Sequence, residues 1–129
     1  MKKVLIVDDN PDVRKIVSKL IQVSGYKALI AKNGMEGMGI VKEDRPDLII
    51  LDVVMPKESG VRMYHELKSD GDFKDIPVIM LSAIPKKSFL KSQKVLDEFR
   101  GQSVPEPYAY IEKPEEPEEL VGLMREVLG

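Results

Sequence analysis

The sequence predicts an α/β fold, a doubly wound five-stranded parallel sheet with helices on both faces. Short apolar runs alternate with helical patterns five times, which is the order expected of a sheet built from strand–helix–strand units. Runs such as Leu48–Leu51, which contain no polar residue, are typical of strands buried on both faces. Right-handed crossovers favour the strand order 2-1-3-4-5. The expected strands are residues 3–7, 27–31, 48–51, 78–81 and 108–111.

The first helix has a clear start signal. Asn10 can act as its N-cap, Pro11 suits its first turn, and Asp12 favours the positive end of the helix dipole. Ser24 and Gly25 are expected to end this helix. Five apolar positions at helical spacing predict one buried stripe: Val13, Ile16, Val17, Leu20 and Ile21.

Three further helices follow the second, third and fifth strands. The second helix, residues 34–42, contains Gly37 and Gly39 and is expected to be weak, because glycine has a low helix propensity. The third helix is expected to start near Ser59, and the last near Pro117 with an acidic first turn. The predicted inward positions are Val61, Tyr64 and Leu67 in the third helix and Leu120, Leu123, Met124, Val127 and Leu128 in the last.

Composition restricts the class of protein. With 129 residues we expect a single domain, residues 1–129, with a substantial core. The formal net charge of -2 gives no indication of nucleic-acid binding. Because the chain has no cysteine, disulfides and thiolate metal sites are excluded. The apolar run near the N-terminus is too short for a signal peptide or a membrane span, so we expect a cytoplasmic protein without membrane contact.

Three carboxylates follow two of the expected strands. Asp8 and Asp9 come directly after the first strand, and Asp52 comes directly after the third. In an open parallel sheet, ligands bind outside the carboxyl ends of the strands. Three clustered carboxylates do not all stay ionised unless a cation holds them together. With oxygen ligands and no His or Cys nearby in sequence, the pattern indicates Mg²⁺.

Together, these strand ends resemble those of a known family. The chain is similar over essentially its whole length to the response-regulator receiver domain, the chemotaxis-regulator-like phosphoacceptor module of two-component signalling, which has a flavodoxin-like fold. Each marker alone is weak, but all occur in order and at strand ends. The markers are Val7-Asp8-Asp9, Leu51-Asp52 with Met55-Pro56 and Gly60, Leu81-Ser82-Ala83, and Lys113-Pro114.

The resemblance implies phosphoryl transfer to an aspartate. Asp52 is then the nucleophile that attacks a phosphoryl group carried on a kinase histidine. Asp9 and Asp52 are expected to bind Mg²⁺ directly, together with the backbone carbonyl of Val54. Asp8 is expected to act mainly through a bound water. Lys113 is expected to neutralise the phosphoryl oxygens as a point charge.

The resemblance also implies a switch. The hydroxyl of Ser82 is expected to move towards the phosphoryl group, and Tyr110 to turn inward in response. Tyr108, two residues earlier, could compete with Tyr110 for that role. The bond between Lys113 and Pro114 is cis in the family, which marks a fixed turn.

The expected partners follow from this switch. The phosphoryl donor is expected to be a sensor histidine kinase or a histidine phosphotransfer protein. An unknown downstream protein is expected to contact the surface formed by the fourth helix, fifth strand and fifth helix, and a homodimer through that surface is possible. The chain is then not an enzyme with an external substrate, because it catalyses only its own phosphorylation and dephosphorylation.

The segment 85–107 departs from the family pattern. Lys113 lies 31 positions after Ser82, a longer spacing than the family implies. Residues 86–100 are expected to form a long basic helix with Phe89, Leu96 and Phe99 facing inward. Residues 101–107 contain two prolines and are expected to form an extended loop.

Two apolar residues occupy positions that tune hydrolysis in the family. Val54 and Ile84 flank the predicted phosphorylation site. Because apolar side chains do not orient an attacking water, slow self-dephosphorylation is predicted.

The same residues allow other interpretations. Because the sequence ends at Gly129, directly after the last helix, a stand-alone receiver is expected, and a receiver fragment of a longer regulator or hybrid kinase is the alternative. A Mg²⁺-dependent aspartyl-phosphate phosphatase typically carries a second Asp two residues after the nucleophile, where this chain has Val54. A flavin-binding module shares the fold, but the acidic first loop would repel a flavin phosphate. His65, the only histidine, is expected to be a solvated surface residue.

Overall fold

In the computed structural model, which describes residues 1–101, 103–113 and 116–129 and of Glu58 only the backbone, five strands alternate with five helices. A short 3₁₀ turn, Pro56–Glu58, precedes the third helix. The strands are β1 (Lys3–Val7), β2 (Lys27–Ala31), β3 (Leu48–Leu51), β4 (Val78–Ser82) and β5 (Ala109–Glu112). The helices are α1 (Pro11–Val23), α2 (Gly34–Asp44), α3 (Ser59–Ser69), α4 (Lys86–Arg100) and α5 (Pro117–Leu128).

The sheet has the predicted topology. Its strand order is β2-β1-β3-β4-β5, and every neighbouring pair is parallel. Val7 of β1 pairs with Leu51 of β3, so these two strands end at the same level. Ser82 of β4 pairs with Glu112 of β5 in the same way. The predicted doubly wound α/β fold is therefore confirmed, and the residues that follow these strands lie along one edge.

Helices cover both faces of the sheet. Alternate residues of β1 point to opposite sides, as the two-residue period of a strand requires. Leu5 belongs to the core under α2, α3 and α4, whereas Ile6 belongs to the core under α1 and α5. The start of α1 is as predicted, because the Asn10 side chain accepts hydrogen bonds from the backbone N–H groups of Asp12 and Val13.

Two predicted core positions are wrong. Ile16 is exposed, since it lies about 100° around the helix from Val17, on the edge of the stripe that the sheet covers. Phe99 is 86% exposed. It lies about 200° around α4 from Asp97, which faces α3, and therefore points to the opposite side of the helix.

Element ends differ slightly from expectation. β4 extends through Ser82, because the Ser82 carbonyl oxygen accepts a 2.7 Å hydrogen bond from the Lys113 backbone N–H.

α2 forms despite its glycines. A β-carbon at Gly37 would lie only 2.9 Å from Met63 Sδ, so this glycine allows α2 to pack closely on α3. Among the described helices, none is long and apolar enough to cross a lipid bilayer.

Candidate functional site

The ends of β1 and β3 bring three carboxylates together. The Asp52 backbone N–H donates to Val7 O at 2.9 Å, and the Asp8 N–H donates to Ala31 O at 3.1 Å, so both residues continue the sheet ladder. One carboxylate oxygen from each of Asp8, Asp9 and Asp52 lies within 4.8 Å of the others. Asp8 and Asp52 are buried and Asp9 is exposed, so the cluster is open to solvent on the Asp9 side.

Asp8 is held in place by several donors. Its Oδ1 accepts a 2.9 Å hydrogen bond from the Asn10 backbone N–H, and its Oδ2 lies 3.3 Å from Lys113 Nζ. The Arg14 guanidinium donates to the Asp8 carbonyl oxygen at 2.9 Å. Sequence reasoning assigned Asn10 only to helix capping and gave no role to Arg14. Their contacts with Asp8 depend on how the loop folds back, for which the linear spacing has no signal.

Asp52 combines burial with a nearby negative charge. Only 4% of the residue is exposed. Its Oδ1 accepts a 2.9 Å hydrogen bond from the Val54 N–H, while Oδ2 lies 3.7 Å from Lys113 Nζ. Burial, and then the charge of Asp8, raise the pKa of Asp52 from 3.8 to about 6, against the opposing effects of the Val54 N–H and Lys113. Asp52 is therefore a carboxylate whose ionised form needs further positive charge.

The donor set fits a divalent cation. Lys113 is shared between two of the three carboxylates, so the cluster has a formal charge of -2 when all three are ionised. All available donors are oxygens, which Mg²⁺ prefers, and Asp9 supplies a solvent-accessible side where the ion could keep water ligands. Asp8, Asp9 and Asp52 are thus the side chains that could hold Mg²⁺.

Ser82 and Lys113 lie on the β4–β5 side of the site. Their backbones are joined by the hydrogen bond between Lys113 N–H and Ser82 O. Ser82 is fully buried, and its Oγ accepts a weak 3.4 Å hydrogen bond from the Ile84 N–H. This hydroxyl has no shorter hydrogen bond among the described residues. The predicted cis bond to Pro114 lies outside the described residues.

Tyr110, which is partly buried, continues a row of aromatic rings whose other two members are fully buried. Its hydroxyl donates to Ile84 O at 2.7 Å, and its ring centroid lies 5.6 Å from that of Phe89. Phe89 in turn contacts the edge of Tyr64 at 5.7 Å. Burial raises the pKa of Tyr110, and the nearby Ser82 hydroxyl partly opposes that rise. Tyr108 is 49% exposed and lies outside this row, so it does not share the environment of Tyr110.

Gly60 explains how α3 approaches the Asp52 loop. A β-carbon at Gly60 would lie 2.8 Å from Val53 O and closer still to Asp52 O. Only glycine allows this contact between two backbone segments. In the sequence Gly60 was a family marker without a structural reason, and the structure supplies one.

The interpretation of His65 as a solvated surface residue is wrong. His65 is fully buried on the side of α3 that faces α4. A polar residue next to Tyr64 gives no sign of burial in the sequence, because its partners come from a helix about 30 residues later.

Comparisons with known proteins identify the family of the chain. A family model described as the response regulator receiver domain matches residues 4–125. The response regulator MprA of Mycobacterium avium is 32% identical over 126 residues, which are 98% of this chain and 50% of that protein. Among solved structures, the chemotaxis response regulator CheY4 of Vibrio cholerae has a TM-score of 0.81 at 29% identity, covering 99% of both chains. The response regulator TrrA of Thermotoga maritima, in complex with Mg²⁺-BeF, has a TM-score of 0.78 at 28% identity, covering 99% of this chain and 100% of that one.

The chain belongs to the response regulator receiver domain family. It is a signalling domain of the two-component type, as the sequence resemblance indicated. The chain spans about half the length of the curated relatives it matches first, 47% of one and 50% of another.

Proposed function

We propose that this chain accepts a phosphoryl group on Asp52 in a Mg²⁺-dependent reaction. The arrangement of Asp8, Asp9 and Asp52 around Lys113 carries this proposal. Mg²⁺ bound by these carboxylates, with the Val54 carbonyl as a further ligand, would neutralise charge on the transferring phosphoryl oxygens. TrrA, a relative of the same fold, has been described with Mg²⁺-BeF bound.

The residues of the chain position and neutralise the phosphoryl group. The Val54 N–H holds Asp52 Oδ1, which leaves Oδ2 to form the new O–P bond. As that bond forms, the P–N bond to the donor histidine breaks and the imidazole leaves with the electron pair. Lys113, already 3.7 Å from Oδ2, stabilises the phosphoryl oxygens, and the Ser82 hydroxyl donates to another of them.

The output is a change in the α4–β5–α5 surface. When the Ser82 hydroxyl turns to the phosphoryl group, its weak hydrogen bond from the Ile84 N–H is lost. Because the Tyr110 hydroxyl donates to the carbonyl oxygen of the same residue, Ile84, Tyr110 is then free to rearrange. The donor is a sensor histidine kinase or a histidine phosphotransfer protein in the cytoplasm. The signal passes from one domain, residues 1–129, to a downstream protein or a second copy through this surface.

Phosphorylation of the purified protein tests the proposal. Incubation with Mg²⁺ and acetyl phosphate should add one phosphoryl group, measured as intact mass. Asp52→Asn should add none, and neither should the parent protein in EDTA. Beryllofluoride with Mg²⁺ should bind the parent as a stable phosphoryl mimic. A protein that neither gains mass nor binds beryllofluoride would be a receiver-like module that signals by binding alone.

Phosphate release from an external ester distinguishes a receiver from the phosphatase alternative. An aspartyl-phosphate phosphatase would release phosphate steadily from external esters, whereas a receiver holds one equivalent and releases it only at its own slow rate of dephosphorylation. Val54, at the position where such phosphatases typically carry a second Asp, cannot act as a general acid. Catalytic release of phosphate from p-nitrophenyl phosphate would therefore contradict the proposal.

Slow loss of the phosphoryl group is predicted. The side chain of Val54, 48% exposed beside Asp52, cannot orient a water molecule for attack. We expect the phosphorylated form to persist for minutes or longer after the donor is removed, as followed by intact mass. Val54→Asn, which adds polar atoms at that position, should shorten the half-life several-fold. A half-life of seconds for the parent protein would contradict this prediction.

A further inference from the structure

His65 forms a buried polar bridge between α3 and α4. Its Nε2 lies 3.2 Å from Asp97 Oδ1, and its Nδ1 lies 3.2 Å from Ser69 Oγ and 3.5 Å from Arg100 Nη1. Asp97 and Arg100 belong to α4, while His65 and Ser69 belong to α3. The side chain of His65 is fully buried and that of Asp97 is 18% exposed, so this contact is shielded from water.

The partners of the ring on α4 are an anion and a cation. The Asp97 carboxylate can only accept, so a proton on Nε2 is directed at it, and the Arg100 guanidinium can only donate towards Nδ1. His65 thus joins two oppositely charged residues of one helix to α3. The arrangement depends on the position of α4, because both of its charged partners lie on that helix.

The alignment of the bridge is incomplete. His65 Nε2 has no well-aligned hydrogen bond among the described residues, despite its short distance to Asp97. Gln93 Oε1, a second buried polar atom, has no hydrogen-bond partner among them either. Gln93, itself buried, donates from Nε2 to Asp97 Oδ1 at 3.3 Å. Buried polar atoms with poor partners cost free energy. A displacement of α4 that moved Asp97 and Arg100 away from His65 would leave the buried ring with still poorer partners, and would therefore cost more free energy.

A continuous set of contacts links this bridge to the phosphoacceptor site. The weak Ser82 contact leads to Ile84, whose carbonyl holds Tyr110, and Tyr110 packs on Phe89 of α4. Phe89 packs on Tyr64, the neighbour of His65 in α3. When Tyr110 rearranges, α4 must adjust around Phe89, and the His65–Asp97 pair is a polar contact that opposes the displacement of α4 from α3.

We propose that His65 is a positioning residue that, through Asp97, holds α4 in its resting position and opposes the switch. This inference rests on the proposed function. The site residues bind the phosphoryl group, and the bridge sets how much of that binding free energy is used to move α4. A protein without the bridge should populate the switched position more often and bind a phosphoryl mimic more tightly.

The test compares His65→Leu with the parent protein. The apparent dissociation constant for beryllofluoride, at fixed Mg²⁺, should fall about 3- to 10-fold in His65→Leu. Amide hydrogen exchange of the second half of α4 should rise in the unliganded variant, while that of α1, on the other face of the sheet, should not change. His65→Gln, whose amide N–H can replace Nε2–H, should restore values near those of the parent. Ser92→Ala, at an exposed position of α4, is the matched control.

Each outcome decides between the interpretations. If His65→Leu had a lower melting temperature but unchanged beryllofluoride affinity, the role of His65 would be merely structural. If His65→Leu bound beryllofluoride more weakly than the parent, the bridge would belong to the switched state. Either result overturns the inference. Asp97→Ala, at a partly exposed position, repeats the test should His65→Leu fail to fold. A parent protein that does not bind beryllofluoride overturns the proposed function, and the role of the bridge in switching falls with it.

Discussion

Asp52→Asn should stabilise the metal-free protein by about 2 kcal/mol at pH 7. The pKa of Asp52 in the folded protein is about 6, against 3.8 for the ordinary carboxyl group. Each unit of difference corresponds to about 1.4 kcal/mol, and we reduce the sum because water on the open Asp9 side screens part of the repulsion. The neutral amide keeps an oxygen for the Val54 N–H and removes repulsion from Asp8. The measurement is the free energy of unfolding in urea with EDTA present.

The pH dependence has a definite sign. Between about pH 4 and pH 6 the folded protein holds a proton on Asp52 that the unfolded chain has released. The contribution of Asp52 to stability therefore falls as the pH rises through this window, the reverse of a carboxylate with a lowered pKa. The stability difference between Asp52→Asn and the parent should be close to zero near pH 3.5 and should be complete by pH 7.

A control and a metal titration make this prediction specific. Asp12→Asn, at an exposed position in the first turn of α1, should lose a few tenths of a kcal/mol at pH 7, because a negative charge there is favourable. Saturating Mg²⁺ should raise the melting temperature of the parent much more than that of Asp52→Asn, since a ligand that binds only the folded state stabilises it. Equal stability of parent and Asp52→Asn across pH 4–7 would contradict the raised pKa.

The sequence was sufficient for the sheet and for the residues at its edge. Short, uniformly apolar runs between turn residues, such as Leu48–Leu51, are typical of strands covered on both faces, and this run is β3. Parallel pairing brings the ends of β1 and β3 to one edge of the sheet, which the apolar strand runs and the strand order predict. The observed register, in which Val7 pairs with Leu51, then places Asp8 and Asp52 side by side.

The sequence was insufficient wherever a contact depends on the placement of a helix. Phe89 and Phe99 are both apolar residues of α4, and only the docking angle of that helix decides that the first is buried and the second exposed. The burial of His65 has the same origin, because Asp97 and Arg100 become its partners only after α4 packs on α3. Periodicity describes the face of one helix, but it does not say which other helix will cover it.

Gly60→Ala should destabilise the protein by about 3 kcal/mol and impair phosphorylation. The added methyl group would lie 2.8 Å from Val53 O and 2.9 Å from Val53 Cα, and would overlap the Asp52 carbonyl oxygen. These are backbone atoms, which cannot rotate away as a flexible side chain can, so α3 or the Asp52 loop must move. Because that loop carries the nucleophile and its Val54 N–H contact, the beryllofluoride affinity should fall with the stability.

Gly39→Ala is the matched control for this prediction. Gly39 lies within α2, and a β-carbon there would meet no atom within 4 Å apart from its chain neighbours and the backbone of α2. The same chemical change should therefore stabilise the protein by about 0.5–1 kcal/mol, because alanine favours the helix and restricts the unfolded chain. Thermal unfolding of the two variants should shift in opposite directions from the parent. If Gly60→Ala melted within a degree of the parent, α3 would not lie against the Asp52 loop as closely as described.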